Sequence, residues 1–207
     1  MVYDSFVAGK VCESCNSGWM SSLEARSQPI IERLCGGEGL ISELDRDNRE
    51  TLARWACKSA YALDAANPGA RKVPPWHSRT LAPDKDHIPA SVIVLAAHSP
   101  FQVAAELMEV NHWGILAPPG VQRRNLRRDA RRSYKIAMQL GRLVLLVSYW
   151  PGNRCRFILE DGLHEVIRAP AIGEGFEGVR VKVDFADAQH FLYHFGAGLG
   201  IAQSTAL

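Results

Sequence analysis

At 207 residues the chain is long enough for one substantial domain or two small ones with a buried core. Its 47% apolar and 22% charged residues exclude a disordered or fibrous chain, and a net charge of +2 excludes a whole-chain polycation. The charge is uneven, because residues 67–135 hold 11 basic against 5 acidic residues while the flanking segments are slightly acidic.

In chain order, Val2–Val11 suits one strand leading into a Cys12–Cys15 turn. A helix follows, with Asn16 or Ser17 as its cap and Trp19 and Leu23 one turn apart. Pro29 fits an opening turn, so a second short helix is expected through Leu34, stopped by Gly36-Gly37. Asp47 and Glu50 make a capping-box pattern for a helix over Asn48–Ala66, whose apolar face is Leu52, Trp55, Ala56, Ala60 and Leu63. Five prolines between residues 67 and 90 read as an irregular crossing.

From residue 91 the texture turns to strands. Ser91–Ala97 suits a buried strand, and Gly141-Arg142 suits a tight hairpin between Tyr134–Leu140 and Leu143–Tyr149. Arg156–Leu159 and the alternating Val179–Phe185 are further strands. A helix around Asp187–Phe195 closes the chain, with Ala188, Leu192 and Phe195 inward and His190 and His194 on the polar side. The expected class is α+β: a helical part with an incomplete zinc knuckle (1–66), a Pro-rich connection (67–90) and an antiparallel β-rich region (91–207).

Asp4 and Lys10 interrupt any export signal, and no apolar run approaches the ~18–20 residues of a membrane span. A cytoplasmic address follows as the expectation. There a Cys-x-x-Cys pair favours a metal over a structural disulfide. Cys12 and Cys15 can present two thiolates to one tetrahedral zinc ion, which is half a site. A knuckle without metal, a pair of buried thiols, and two chains pooling their cysteines in a homodimer are the alternatives.

The run Val11-Cys12-Glu13-Ser14-Cys15-Asn16-Ser17-Gly18-Trp19-Met20 resembles the C-terminal part of bacterial and phage HNH-endonuclease-like proteins. Ala53-Arg54-Trp55-Ala56-Cys57-Lys58-Ser59-Ala60 and the stretch from Ile136 to Val144 add to the likeness. In such proteins an upstream Cys-x-x-Cys completes the zinc site and an acidic-His pair supplies the general base. The finger is two strands and a helix, with a divalent cation such as Mg held over the scissile phosphate. The resemblance implies that Cys12 and Cys15 are the second zinc pair and that Asn16 helps hold the cation. Only eleven residues precede Cys12, and none is Cys or His. Half the zinc ligands and the base that would activate water are therefore missing here. The expected protein is a truncated, catalytically impaired HNH-like member that binds nucleic acid.

The charge excess of the middle third sits in one string, Arg123, Arg124, Arg127, Arg128, Arg131, Arg132 and Lys135, against Asp129 alone. On a helix these pairs form a slowly drifting stripe, and guanidinium forks suit phosphate oxygens. Nucleic-acid backbone, DNA before RNA, is the expected partner, with no base-reading motif; a solvated arginine-rich loop, or arginines paired with the acidic N-terminal part, is the alternative. The other class of function is a non-catalytic protein-interaction module docking through the helices around Trp19 and Trp55. Gly173–Gly178 matches a dinucleotide fingerprint only formally, since it precedes a strand and carries two glutamates. His77, His87, His98, His112 and His164 are scattered and outline no hydrolase triad.

Overall fold

A computed structural model describes residues 13–66, 71–82, 87–116, 123–151, 155–159, 165–168 and 186–203. The strands expected at Val2–Val11 and Val179–Phe185, the Gly173–Gly178 loop and Cys12 lie outside these residues. The class is α+β, helical first and sheet-rich later.

Helix begins earlier than the capping residues suggest. Glu13–Cys15 (α1) runs into a wide π turn, Asn16–Met20, kinked at Gly18, and on into α2, Ser21–Cys35. Neither Asn16 nor Ser17 is a cap; the Ser17 hydroxyl donates back one turn to the Glu13 carbonyl at 2.7 Å. Nor does Pro29 open a second helix, since it lies inside α2 on the exposed side. An interior proline costs about 3 kcal/mol. Burial of Leu23, Ile30 and Leu34 along the other side of the same helix outweighs that cost. The helix stops where expected, with Glu38 N–H donating to Arg33 O and Gly37 at φ +77°.

α3 spans Arg46–Ala66. Its cap is Asp45 rather than Asp47: Asp45 Oδ1 accepts the Asn48 N–H at 2.8 Å. Asp45→Ala is expected to cost about 1 kcal/mol in chemical denaturation. The buried stripe is Leu52, Ala53, Ala56, Cys57, Ala60 and Tyr61, so the helix is rolled slightly from the expected face and Trp55 and Leu63 sit half-buried at its margin. The Pro-rich connection is not wholly irregular. Pro75–Thr80 forms a short helix, α4, with proline at its first position, where no N–H is needed.

The sheet region is built on two long antiparallel strands, β1 (Val92–Glu109) and β3 (Tyr134–Tyr149). Between them in sequence lie β2 (Gly114–Leu116) and helix α5 (Arg123–Ala130). The expected hairpin at Gly141-Arg142 is absent, because β3 continues through it and pairs with β1 on both sides. The chain bends there instead. The rings of Tyr134 and Tyr149, at opposite ends of β3, lie 5.5 Å apart, whereas a straight strand would separate them by about 50 Å. His98 pairs with Leu143 and Val103 with Gly141, so residues 99–102 of β1 take the longer path around the corner. Gln139 Nε2 donates to Phe101 O (2.7 Å) and Gly141 O (3.0 Å), and Arg142 Nε donates to Ser99 O (3.2 Å), pinning the corner.

Because the ribbon is bent, its two faces bury separate cores. The concave face carries Tyr134, Ile136 and Met138, then Leu143, Leu145, Val147 and Tyr149, and packs on α2 and α3. The other face carries Ile93, Leu95, Val144, Leu146 and Trp150, and packs on α6, Ala188–Ala197. α6 starts as expected, Asp187 accepting the His190 N–H at 2.8 Å. β5 (Glu165–Arg168) adds to β1. A second sheet is mixed rather than antiparallel throughout: β6 (Leu199–Gln203) pairs parallel with β2 and antiparallel with β4, Cys155–Leu159. Among the described residues no helix is long and apolar enough to cross a membrane.

Candidate nucleic-acid interface

The arginine string divides into a helix, a turn and a strand. α5 is amphipathic with very little apolar surface: Leu126 is buried in the outer core beside it, Ala130 packs against that core, and Arg127 and Arg128 are exposed. Arg132 N–H then donates to Asp129 O at 2.9 Å, closing a turn in which Arg131 and Arg132 are also exposed. One buried leucine thus seats the short helix that, with the turn after it, presents four exposed arginines. The cations also sit at the negative end of the α5 dipole, which offsets part of their mutual repulsion. Asp129 is the acid among them, 3.7 Å from Arg128 Nε. Arg123 and Arg124 occupy the first turn of α5.

Lys135 does not belong to this surface. It is fully buried in β3, and its ammonium donates to His112 O and Gly196 O at 2.8 Å each and to Leu199 O. The Trp113 ring lies 4.2 Å from its nitrogen. The alternation of β3 turns this side chain inward, a constraint that charge counting cannot see.

Cys15 and Asn16 lie at the start of the helical segment that packs on the other core. Trp19, one turn on, packs against the concave face, and two clefts flank the ridge of Met20, Lys58 and Ala62. Half-buried Cys15 opens to the larger, about 700 Å³, and exposed Asn16 to the smaller, about 410 Å³. Lys58 on that ridge is paired with Glu24. Among the described residues no three His, Cys, Asp or Glu side chains gather to hold a metal ion. His190 and His194 are half-buried and bonded to each other, Nε2 to Nε2 at 2.9 Å.

Sequence reasoning missed a buried aromatic cluster around His77. The imidazole is fully buried, ringed by Trp76 (centroids 4.0 Å), Tyr149 (4.5 Å), Tyr134 (5.7 Å) and Tyr61 (5.8 Å). Tyr134 Oη donates to Tyr61 Oη at 3.3 Å, so His77 Nδ1 is assigned as donor to Tyr134 at 2.8 Å. Nε2 then carries a lone pair without a hydrogen-bond partner among the described residues. Burial pushes His77 down to about 4 and pushes the Tyr61 and Tyr134 hydroxyls up. Pro74-Pro75-Trp76-His77 was the available signal, a proline-opened turn carrying two rings.

The neutral imidazole makes stability depend on pH. The unfolded histidine takes a proton near 6.5 while the folded one stays neutral to about 4. The unfolded state therefore binds more protons in that window, and stability falls as pH falls through it. Unfolding free energy is expected to drop by about 2 kcal/mol from this group between pH 7 and 5, and His77→Phe should flatten that slope in urea titrations.

Comparison with known protein families, curated proteins and solved structures returns no match.

Proposed function

We propose that this chain is a nucleic-acid-binding protein of the HNH-endonuclease-like kind, gripping phosphate backbone through Arg127, Arg128, Arg131 and Arg132. Arg123 and Arg124 add charge from the same helix, and Lys135 takes no part. The supporting observation is the docking of α5 by Leu126, which holds four exposed guanidiniums on one short segment. Forked donors that never lose their charge are the side chains phosphate oxygens bind best. Cleavage is not part of this reading, since Asn16 alone supplies neither an activated water nor a leaving-group stabiliser.

Retention of labelled duplex DNA across a salt series tests it. Each neutralised phosphate contributes about −0.9 to the log–log slope. Changing Arg127, Arg128, Arg131 and Arg132 together to Gln is expected to flatten the slope by about 3–4 and to abolish retention at physiological salt. Unchanged retention would remove the proposal.

A second reading rests on the smaller cleft, whose wall includes Met20, Trp55, Leu63, Leu107, Met138 and Leu140. There the chain is a non-catalytic module that docks an apolar segment of a partner protein. Charge reversal at the four arginines separates the two readings, because docking in that cleft does not depend on them.

A further inference from the structure

The aromatic cluster and the arginine turn adjoin along the chain at the start of β3. Trp76 is the most exposed tryptophan described, at 46%, yet its ring is braced edge-on by His77 at 4.0 Å and Tyr149 at 6.4 Å. Tyr149 lies close enough to Arg132 and Asp129 for both charges to act on its hydroxyl. Tyr134, two residues after Arg132, closes the same cluster through its contact with His77. The bend at Gly141 is what brings these groups together, since it folds the end of β3 back beside its start.

We infer that Trp76 is a stacking platform for an unpaired nucleobase beside the arginine turn, so that the preferred ligand is a single-stranded nucleic acid. The inference rests on the phosphate-binding reading and adds its substrate class. A large exposed ring normally costs solubility and, left free, loses rotamer entropy on binding. Here the orientation is set in advance by two edge contacts, which leaves ring surface exposed for a base to stack on. Exposed guanidiniums at Arg131 and Arg132 supply charge for the phosphates flanking that base. A duplex keeps its bases stacked on one another and offers Trp76 nothing beyond sugar and phosphate. Aromatic side chains and a cationic track are the combination by which single strands are held without sequence readout.

Fluorescence anisotropy with a mixed-sequence DNA strand of about 12 nucleotides and its duplex tests the inference. Wild-type protein is expected to bind the single strand more tightly. Trp76→Ala should weaken single-strand binding about tenfold or more and leave duplex binding within about twofold, with Trp76→Phe retaining most of the affinity. RNA of the same sequence tells which sugar the site prefers; stronger binding to either single strand supports the inference. Equal losses on strand and duplex, or no loss on either, overturn the stacking role while the phosphate reading stands. If wild-type protein binds neither strand nor duplex, both readings fall. Unfolding midpoints of the two Trp76 variants check that the fold survives, and Trp76→Phe keeps a ring in place should the alanine variant unfold.

Discussion

Lys135→Met is expected to lower the unfolding free energy by about 3–5 kcal/mol, one of the largest effects of any single side chain here. The ammonium uses its three donors on three backbone carbonyls: His112 before β2, Gly196 at the end of α6, and Leu199 at the start of β6. It thereby joins three segments that pack on the outer core, and it sits at the negative end of the α6 dipole. Methionine keeps the length and the apolar stem but leaves three carbonyls looking for donors in a place water reaches poorly. Removing a buried cation recovers part of its desolvation cost, so the net loss is smaller than three broken charge-assisted bonds. Urea denaturation measures the difference, and a loss under about 1 kcal/mol would mean the cage is not stabilising. The same variant separates interior from surface charge. Folded Lys135→Met should keep the wild-type salt slope for nucleic acid, whereas Arg127→Gln should flatten it by about 0.9 on duplex DNA and about 0.7 on a single strand.

The sequence and the structure agree where local chemistry decides the outcome and part where distant packing decides it. Gly36-Gly37 ends α2 and Asp187 opens α6 because backbone amides and carbonyls there need partners within one turn. Pro29 looked like a boundary because propensity is local, whereas the burial that holds α2 together comes from α3 and the ribbon. The Asn48–Ala66 pattern yielded a helix but misplaced its cap by two residues, as two aspartates compete there and only Asp45 reaches the Asn48 amide. For the candidate site, the exposed arginines were legible from charge and spacing. Lys135 was not, since its direction depends on the phase of a strand that begins only one residue earlier. Nor was the neighbourhood of Trp76, His77 and Tyr149, which a bend between distant residues assembles.

That bend carries the second large prediction: Gly141→Ala is expected to cost about 3–4 kcal/mol. Apolar residues alternate inward at Tyr134, Ile136 and Met138, then at Leu143, Leu145, Val147 and Tyr149, so the phase slips by one residue across the corner. Gly141 absorbs the slip with φ +56°, a conformation that costs an L-residue about 1–2 kcal/mol. The larger part is steric. A Cβ at this position would lie 2.6 Å from the Cys35 carbonyl oxygen and 2.9 Å from Cys35 Cβ, at the end of α2. Backbone cannot rotate out of the way as a side chain can, so either α2 shifts or the corner opens. Gly36→Ala is the control, one residue beyond Cys35 but with φ −73° and no contact nearer than 3.7 Å, and should change stability by less than about 1 kcal/mol. If opening the corner is the response, Tyr149 withdraws from Tyr134 and His77. The near-ultraviolet circular dichroism of that aromatic cluster should then fall with the stability, while far-ultraviolet helix signal persists. Equal stability of Gly141→Ala and Gly36→Ala would show that the close approach of α2 to β3 does not hold in solution.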